Sequence, residues 1–238
     1  MPKAKSLDGK LALVTGASRG IGAATAEALA AAGAHVILVA RTASALEAVD
    51  DRIHDAGGSA TIAPLDLTDS ESIGKLAAAV AERWQSLDVL ILNAAMLGSL
   101  TPVEHIDAKE YARVLGLNLI ANQAVIAAFD PLLKKSARAD VVALTSSVGS
   151  EPRAFWGAYG SSKAALEILL GAYADETQHS GRIRVHIVDP GATHTRMRQL
   201  AFPGEEPDSV KPPEAVATAI LQRLQSDVPT GEKLRVEA

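Results

Sequence analysis

Three residues in the stretch 145–167, TSSVGSEPRAFWGAYGSSKAALE, have the types and spacing of a proton-transfer site. They are Ser146, Tyr159 thirteen residues later, and Lys163 four residues beyond the tyrosine. Tyrosine and lysine at i, i+4 lie on one helical face with side chains close together. A free tyrosine has a pKa of about 10 and is a poor base at neutral pH. Lowering it by roughly 3 units takes about 4 kcal/mol. An ammonium ~4 Å away at an effective dielectric of about 20 supplies roughly that much. A place early in its helix adds a little more from the dipole's positive end. Such a phenol would exchange a proton with an alcohol or ketone near pH 7. Ser146, on the turn after an apolar strand, could donate to the same oxygen. The same tyrosine–lysine spacing also occurs on ordinary helix surfaces, so the rest of the chain must carry the reading.

A second chemical signal lies near the amino terminus. Thr15-Gly16-Ala17-Ser18-Arg19-Gly20-Ile21-Gly22 joins a short apolar run to an alanine-rich helix. The spacing is G-x-x-x-G-x-G, which differs from the general G-x-G-x-x-G pattern of dinucleotide binders. The physics is the same: glycines allow a tight turn and close backbone approach to a pyrophosphate at a helix N-terminus. NAD readers place a carboxylate at the end of the second strand. Here that end is Ala40-Arg41-Thr42, and no acidic residue occurs between Gly33 and Glu47. Arg41 and Arg19 instead offer guanidinium groups to a 2′-phosphate. NADP(H) is therefore favoured over NAD(H), with NAD(H) still admissible.

The elements that must position these groups alternate along the chain. Apolar strands are predicted at Leu11–Thr15, His35–Ala40, Ala60–Leu65, Leu87–Leu92, Val141–Thr145, Arg184–Val188 and Lys233–Val236. Between them run amphipathic helices, one of them Ile21–Ala32. Capping boxes are expected at Ser44/Glu47 and Thr68/Glu71, and Asp107/Glu110 opens a long helix reaching about Phe129, bent or restarted at Pro131. The helix carrying Tyr159 reaches about His179, and a last one covers 214–225. Near-continuous apolar strands between helices predict a parallel sheet covered on both faces. With no linker or repeat, residues 1–238 read as one doubly wound α/β domain. Residues 192–213, rich in proline, read as irregular.

Composition narrows the classes. Of 238 residues, 48% are hydrophobic and 21% charged, enough for a large core. A net charge of −5 gives no support to nucleic-acid or anionic-membrane binding. Without cysteine there are no disulfides, thiol nucleophiles or Cys–Zn sites, and the six histidines show no metal-ligand spacing. No signal peptide and no bilayer-spanning apolar run are read, so a soluble cytoplasmic protein is expected.

Taken together, these residues resemble the short-chain dehydrogenase/reductase family over essentially the whole chain. The likeness covers Thr15–Gly22 as the cofactor turn, Asp66 and Leu67 after the third strand where the family contacts adenine, and Asn93 in L-N-A-A after the fourth. It continues through Asn118, Ser146, Tyr159 and Lys163 to Pro190, Gly191, Thr193 and Thr195 after the sixth strand. Leu92 and Ala95 depart from the family's N-N-A-G, which implies altered packing beneath the cofactor. The serine–tyrosine spacing favours Ser146 over Ser147, read as a structural hydroxyl. The resemblance implies a Rossmann-type, seven-stranded, mostly parallel sheet and a mechanism. Tyr159 would be the general acid/base, and Ser146 would polarise the substrate oxygen. Lys163 would lower the tyrosine pKa and hold the nicotinamide ribose, and Asn118 would support a water chain. Pro190 to Thr195 would face the carboxamide and pyrophosphate. Met96, Leu97, Phe155 and Trp156 are candidate walls for a small carbonyl or alcohol substrate, and 192–213 is a candidate lid. The helices 107–129 and 159–179 form the usual oligomer surface in such proteins, so a homodimer or homotetramer is expected. Two rival readings stay open: a dinucleotide-binding regulatory protein, and an epimerase or dehydratase on the same fold.

Overall fold

A computed structural model describes residues 6–237 of the chain, so the two ends of the domain expected over 1–238 lie outside the described residues. The strands are β1 (Leu11–Thr15), β2 (His35–Ala40), β3 (Ser59–Pro64), β4 (Val89–Leu92), β5 (Ala139–Leu144), β6 (Ile183–Asp189) and β7 (Lys233–Arg235). They form one seven-stranded sheet in the order β3-β2-β1-β4-β5-β6-β7. Every neighbouring pair is parallel. The sheet is thus the Rossmann type expected, with the order reversing between β1 and β4.

The apolar runs make this sheet because both faces are covered. Along β1, Leu11 and Leu13 face one core with Ile73, Val125, Phe129 and Leu166. Ala12 and Val14 face the other with Ala26, Leu29, Val216 and Ile220. Alternate residues going to opposite cores is the strand period of two applied to a sheet with no wet face. The helices are α1 (Gly20–Ala31), α2 (Ala43–Asp55), α3 (Ser70–Arg83), α4 (Ala108–Leu115), α5 (Ala121–Leu133), α6 (Gly157–Gln178), α7 (Arg196–Ala201) and α8 (Pro213–Gln225). α1 packs on α8 on one side, and α3 packs on α5 on the other.

Four local expectations change. Thr42 precedes α2 without a side-chain cap, so Ser44 is not a capping residue. α3 is capped by Asp69, which accepts from the Glu71 and Ser72 N–H groups, while Thr68 is used by Asp66. A shorter carboxylate nearer the first turn wins over the threonine hydroxyl. Asp107 caps α4 through the Glu110 N–H at 2.7 Å, as the sequence predicts. The long helix continues past Pro131 to Leu133, because a missing N–H near the end breaks little, and its irregularity is a π turn at Gly116–Ile120. The stretch 192–213 is not wholly irregular: it contains α7, capped by Thr195. The continuous helix Ala108–Leu133 is long and apolar enough to cross a membrane by length and composition alone, a property that core helices share. Here it covers the sheet, with Val125, Phe129 and Leu132 in the core.

Gly22 marks the closest approach in the cofactor turn. An added Cβ there would stand 2.3 Å from the Gly16 carbonyl oxygen and 2.5 Å from Asn93 Nδ2. Gly22→Ala should therefore destabilise the fold by about 3 kcal/mol, the upper end for overpacking. That corresponds to a fall of roughly 10 °C in thermal midpoint, measurable by calorimetry.

Candidate active site

Parallel strands deliver their following turns to one edge. The glycine turn follows β1, Arg41 follows β2, Asp66 follows β3, Asn93 follows β4, Ser146 follows β5 and Pro190 follows β6. At the switch point Thr15 and Asn93 stitch β1 to β4. Thr15 Oγ1 donates to the Ile91 carbonyl (3.1 Å) and accepts from the N–H groups of Asn93 (3.0 Å) and Ala94 (3.1 Å). Asn93 Nδ2 donates to the carbonyls of Thr15 (2.9 Å) and Gly16 (3.2 Å). Leu92 packs in the core. The departure from N-N-A-G therefore leaves the asparagine tether in place.

The glycine turn opens toward the turn after β6. Gly20 has φ 56°, a left-handed conformation that suits glycine, and a Cβ there would meet Thr195 Cγ2 at 3.5 Å. Ser18 and Ile21 are half-buried beside it, and Arg19, at the head of α1, is exposed. Gly191 N–H donates to Asp189 Oδ1, and Thr193 Oγ1 donates to the Pro190 and Gly191 carbonyls, which fixes the facing turn. Arg41 is exposed and close enough to Asp66 for its charge to act on the carboxyl. The Thr68 N–H and hydroxyl hold Asp66 below the usual carboxylate range, and Arg41 adds to this. Leu67 is buried beneath. A backbone cradle at a helix N-terminus, with Arg19 and Arg41 at its outer rim, fits a phosphorylated dinucleotide.

Tyr159 is the third residue of α6 and is buried. Among the described residues its hydroxyl makes no hydrogen bond, and it is not among the enclosed polar atoms left without a partner. Part of its surface is therefore reached by solvent. Lys163 lies one turn on, also buried, with Nζ 5.7 Å from the Tyr159 ring centre. That ammonium donates to the Leu144 carbonyl at 2.7 Å.

The acidified tyrosine expected from the spacing is not present in the free chain. Burial pushes the phenol up, and the Asp189 carboxylate pushes it further. Burial pulls Lys163 down to about 8, against which Glu167 raises it. The i, i+4 argument placed the two groups on one helical face but took the ammonium as ~4 Å from the phenol and left out the cost of burying both. Desolvation of both outweighs their attraction. The phenol is consequently protonated at neutral pH.

Ser146 is half-buried on the turn after β5. Asn118 is fully buried on the π turn, and its side chain is already used. Oδ1 accepts from Met96 N–H (2.8 Å), while Nδ2 donates to the Met96 carbonyl (2.9 Å) and Ser162 Oγ (3.0 Å). Its own carbonyl accepts from Asn122 Nδ2. The side chain anchors the loop after β4 to α6.

The candidate substrate walls divide. Trp156 stands edge-on to Tyr159, ring centres 5.9 Å apart. Met96 is half-buried and Leu97 buried. Phe155 is 56% exposed with φ 72°, so it projects from the mouth and does not wall it, at a backbone cost of about 1–2 kcal/mol. The wall is extended by a residue the sequence did not single out. Phe202 lies 5.9 Å from Trp156 and is covered by the Arg153 and Arg198 guanidiniums. Arg198 is tied to Glu205 through Nε (2.7 Å) and Nη2 (2.5 Å). His194, Arg198, Phe202 and Val210 line a cavity of about 490 Å³. A lone aromatic in a proline-rich segment was the only signal for Phe202.

A family model described as short chain dehydrogenase matches residues 10–206. The chain belongs to the short-chain dehydrogenase/reductase family. It is 37% identical to the uncharacterized oxidoreductase YciK of Escherichia coli (strain K12) over 95% of this chain and 90% of that protein. A short chain dehydrogenase from Salmonella enterica serovar Typhi superposes with a TM-score of 0.94 at 35% identity, each chain covered in full. A candidate short-chain dehydrogenase from Escherichia coli CFT073, crystallised with NADPH, gives 0.94 at 36% identity, again over 100% of both chains. The chain is accordingly an NAD(P)-dependent dehydrogenase/reductase by class.

In this short-chain dehydrogenase/reductase Lys163 titrates lower than in the unfolded chain, so its burial opposes folding when it is protonated. That penalty is largest below pH 8 and fades as pH rises toward the unfolded value of 10.5. Wild type should therefore gain about 2 kcal/mol relative to Lys163→Met between pH 7 and pH 9.5. Denaturant melts at the two pH values measure this difference, and a flat or opposite trend would refute the assigned shift.

Proposed function

We propose that this short-chain dehydrogenase/reductase transfers a hydride between NADP(H) and a small carbonyl or secondary alcohol, with Tyr159 exchanging the proton. The observation that carries the proposal is Tyr159: a buried ring whose hydroxyl has no protein partner among the described residues, one helical turn from a buried lysine at the carboxyl edge of the sheet. Arg19 and Arg41 support the phosphorylated cofactor, and relatives of similar fold were crystallised with NADP and NADPH.

Gly16 to Gly22 and Pro190 to Thr195 would hold the pyrophosphate and carboxamide, Asp66 and Leu67 the adenine, and Asn93 the floor. When bound, the cofactor supplies or accepts the hydride. In the reduction direction Tyr159 gives its proton to the carbonyl oxygen as that oxygen gains charge. Ser146 donates to the same oxygen and orients it. The phenolate left behind is stabilised by the Lys163 ammonium, which then matters more than in the resting state. Burial keeps Tyr159 protonated beforehand, so the proton is in place when the carbonyl oxygen gains charge. Asn118 holds Met96 at the rim, and Trp156 with Phe202 forms an apolar wall suited to a moderately apolar substrate. The segment 192–213 acts as the lid over a single catalytic domain. The protein works in the cytoplasm as a homodimer or homotetramer.

Tyr159→Phe should lower turnover of NADPH with a carbonyl panel by about 10²–10⁴-fold, the usual worth of a general acid. NADPH binding, followed by fluorescence titration, should stay within about twofold. Turnover surviving this substitution would remove the proton-transfer role. Arg41→Ala should weaken NADPH by about 10–100-fold, as for a lost hydrogen bond to a charged group. NADH affinity should be unchanged, and equal effects on both cofactors would overturn the NADP(H) preference.

A further inference from the structure

Glu167 lies one helical turn beyond Lys163 on α6 and reaches both ends of the turn that carries Ser146. Thr145 Oγ1, just before Ser146, donates a short hydrogen bond to Glu167 Oε1. Ser150 Oγ, at the other end, donates to Oε2 at 3.1 Å. Lys233 on β7 completes the bracket, donating to Glu167 Oε1 at 2.8 Å and to Ser150 Oγ at 2.5 Å. The space is tight: a Cβ at Gly149 would stand 3.1 Å from Glu167 Oε1. The Glu167 side chain is only 17% exposed and that of Lys233 is 34% exposed, so the pair is partly shielded from water. Two segments distant in sequence, the 145–150 turn and β7, therefore converge on one carboxylate of α6.

We propose that Glu167, braced by Lys233, is the positioning residue that sets Ser146 relative to Tyr159. The inference rests on the reductase reading for its activity arm. Without the bracket, the 145–150 turn keeps the Thr145 N–H bond to the Val188 carbonyl at its start, and beyond it internal backbone bonds such as Gly149 N–H to the Ser146 carbonyl and Ser150 N–H to that of Ser147. A displacement of about 1 Å in a group that must point at the reacting oxygen costs on the order of 10²-fold in rate. Glu167 also acts on Lys163, whose pKa it raises. The other groups around that ammonium are Tyr159 on α6 and the Leu144 carbonyl on β5, with Lys233 on β7 neutralising Glu167 and Asp189 on β6 facing Tyr159.

The test compares wild type with Glu167→Ala, Glu167→Gln and Lys233→Met. Glu167→Ala should lower kcat by about 10²-fold, leave KM and NADPH affinity within about twofold, and speed amide hydrogen exchange in 145–150 above other segments. Glu167→Gln keeps an acceptor for Thr145, so most turnover should return. The alkaline limb of kcat/KM set by Lys163 should then move to lower pH. Lys233→Met, which leaves the buried acceptor intact, should speed exchange in the same segment. A Glu167→Ala enzyme with turnover within about twofold of wild type, or with exchange in 145–150 unchanged, would overturn the proposal. If wild type fails to oxidise NADPH with any carbonyl tested, the reductase reading falls, and the exchange comparison still decides the positioning role.

Discussion

The two hydrogen-bonding side chains at the switch point, Thr15 and Asn93, set the frame for everything on the carboxyl edge. β1 and β4 pair only over Ala12–Val14 and Val89–Ile91, so the ladder itself ends before the turns begin. Beyond that point the two chains would splay apart to make the crevice in which ligands of doubly wound sheets sit. The threonine hydroxyl and asparagine amide extend the pairing by side-chain means for two more residues, meeting backbone groups the ladder can no longer satisfy. The glycine turn is thereby held at a fixed height above the sheet, and Gly22 can press against it. A crevice with a rigid floor results. Its other wall, from Pro190 to Thr195, is pinned in the same manner by Asp189 and Thr193.

Burial explains the chemistry as much as charge does. Tyr159 and Lys163 sit where desolvation acts on both, raising the phenol and lowering the ammonium. In that setting the neutral phenol is the resting state, and the ion pair of phenolate and ammonium is a state the site must reach. Asp189, three strands away from the glycine turn, adds a negative charge that opposes phenolate. Glu167 adds one that favours ammonium. The two carboxylates therefore act in one sense: both favour a protonated pair. Such a site holds its protons in the free chain, and the phenolate becomes accessible only if something bound there changes the balance of charge and burial.

The fold was legible because its signals are local. The central apolar runs read as strands buried on both faces, and His35–Ala40 and Leu11–Thr15 match residue for residue, while the edge strands β3 and β7 are only partly covered. The places of Arg41, Asp66, Asn93, Ser146 and Pro190 were legible too, since each lies in the turn that follows a strand. What escaped depends on the third dimension. Ser44 and Thr68 have the right neighbours for caps, yet Asp69 stands one residue nearer its helix and takes the N–H groups. The Lys163 ammonium turns to the Leu144 carbonyl, a choice that spacing on a helix cannot reveal. Phe202 reaches Trp156 from a segment more than forty residues away, and no periodicity announces that meeting. Phe155, with its apolar side chain, read as wall but projects outward because its backbone turns left-handed.

The two edges of the sheet show why chemistry is confined to one of them. At the amino edge, polar side chains are spent on one another. Asp88 accepts from Lys10, Ser136 and the Leu11 N–H. Asp140 accepts from His186 and pairs with Arg184, whose guanidinium also donates to the Leu224 and Ser226 carbonyls. Arg184 Nε is the one atom of that cluster left without a partner. Partly buried charges held this way resist release, because a lost partner would strand the other in a dry interior. At the carboxyl edge the Tyr159 hydroxyl, with the Arg19 and Arg41 side chains, is left without a hydrogen-bond partner among the described residues. Both edges are built from the same parallel strands and the same kinds of polar residue. The difference lies in a few groups: the amino-edge charges are paired within the protein, whereas at the carboxyl edge Thr15, Asn93 and Thr193 are satisfied but the Tyr159 hydroxyl, Arg19 and Arg41 are not.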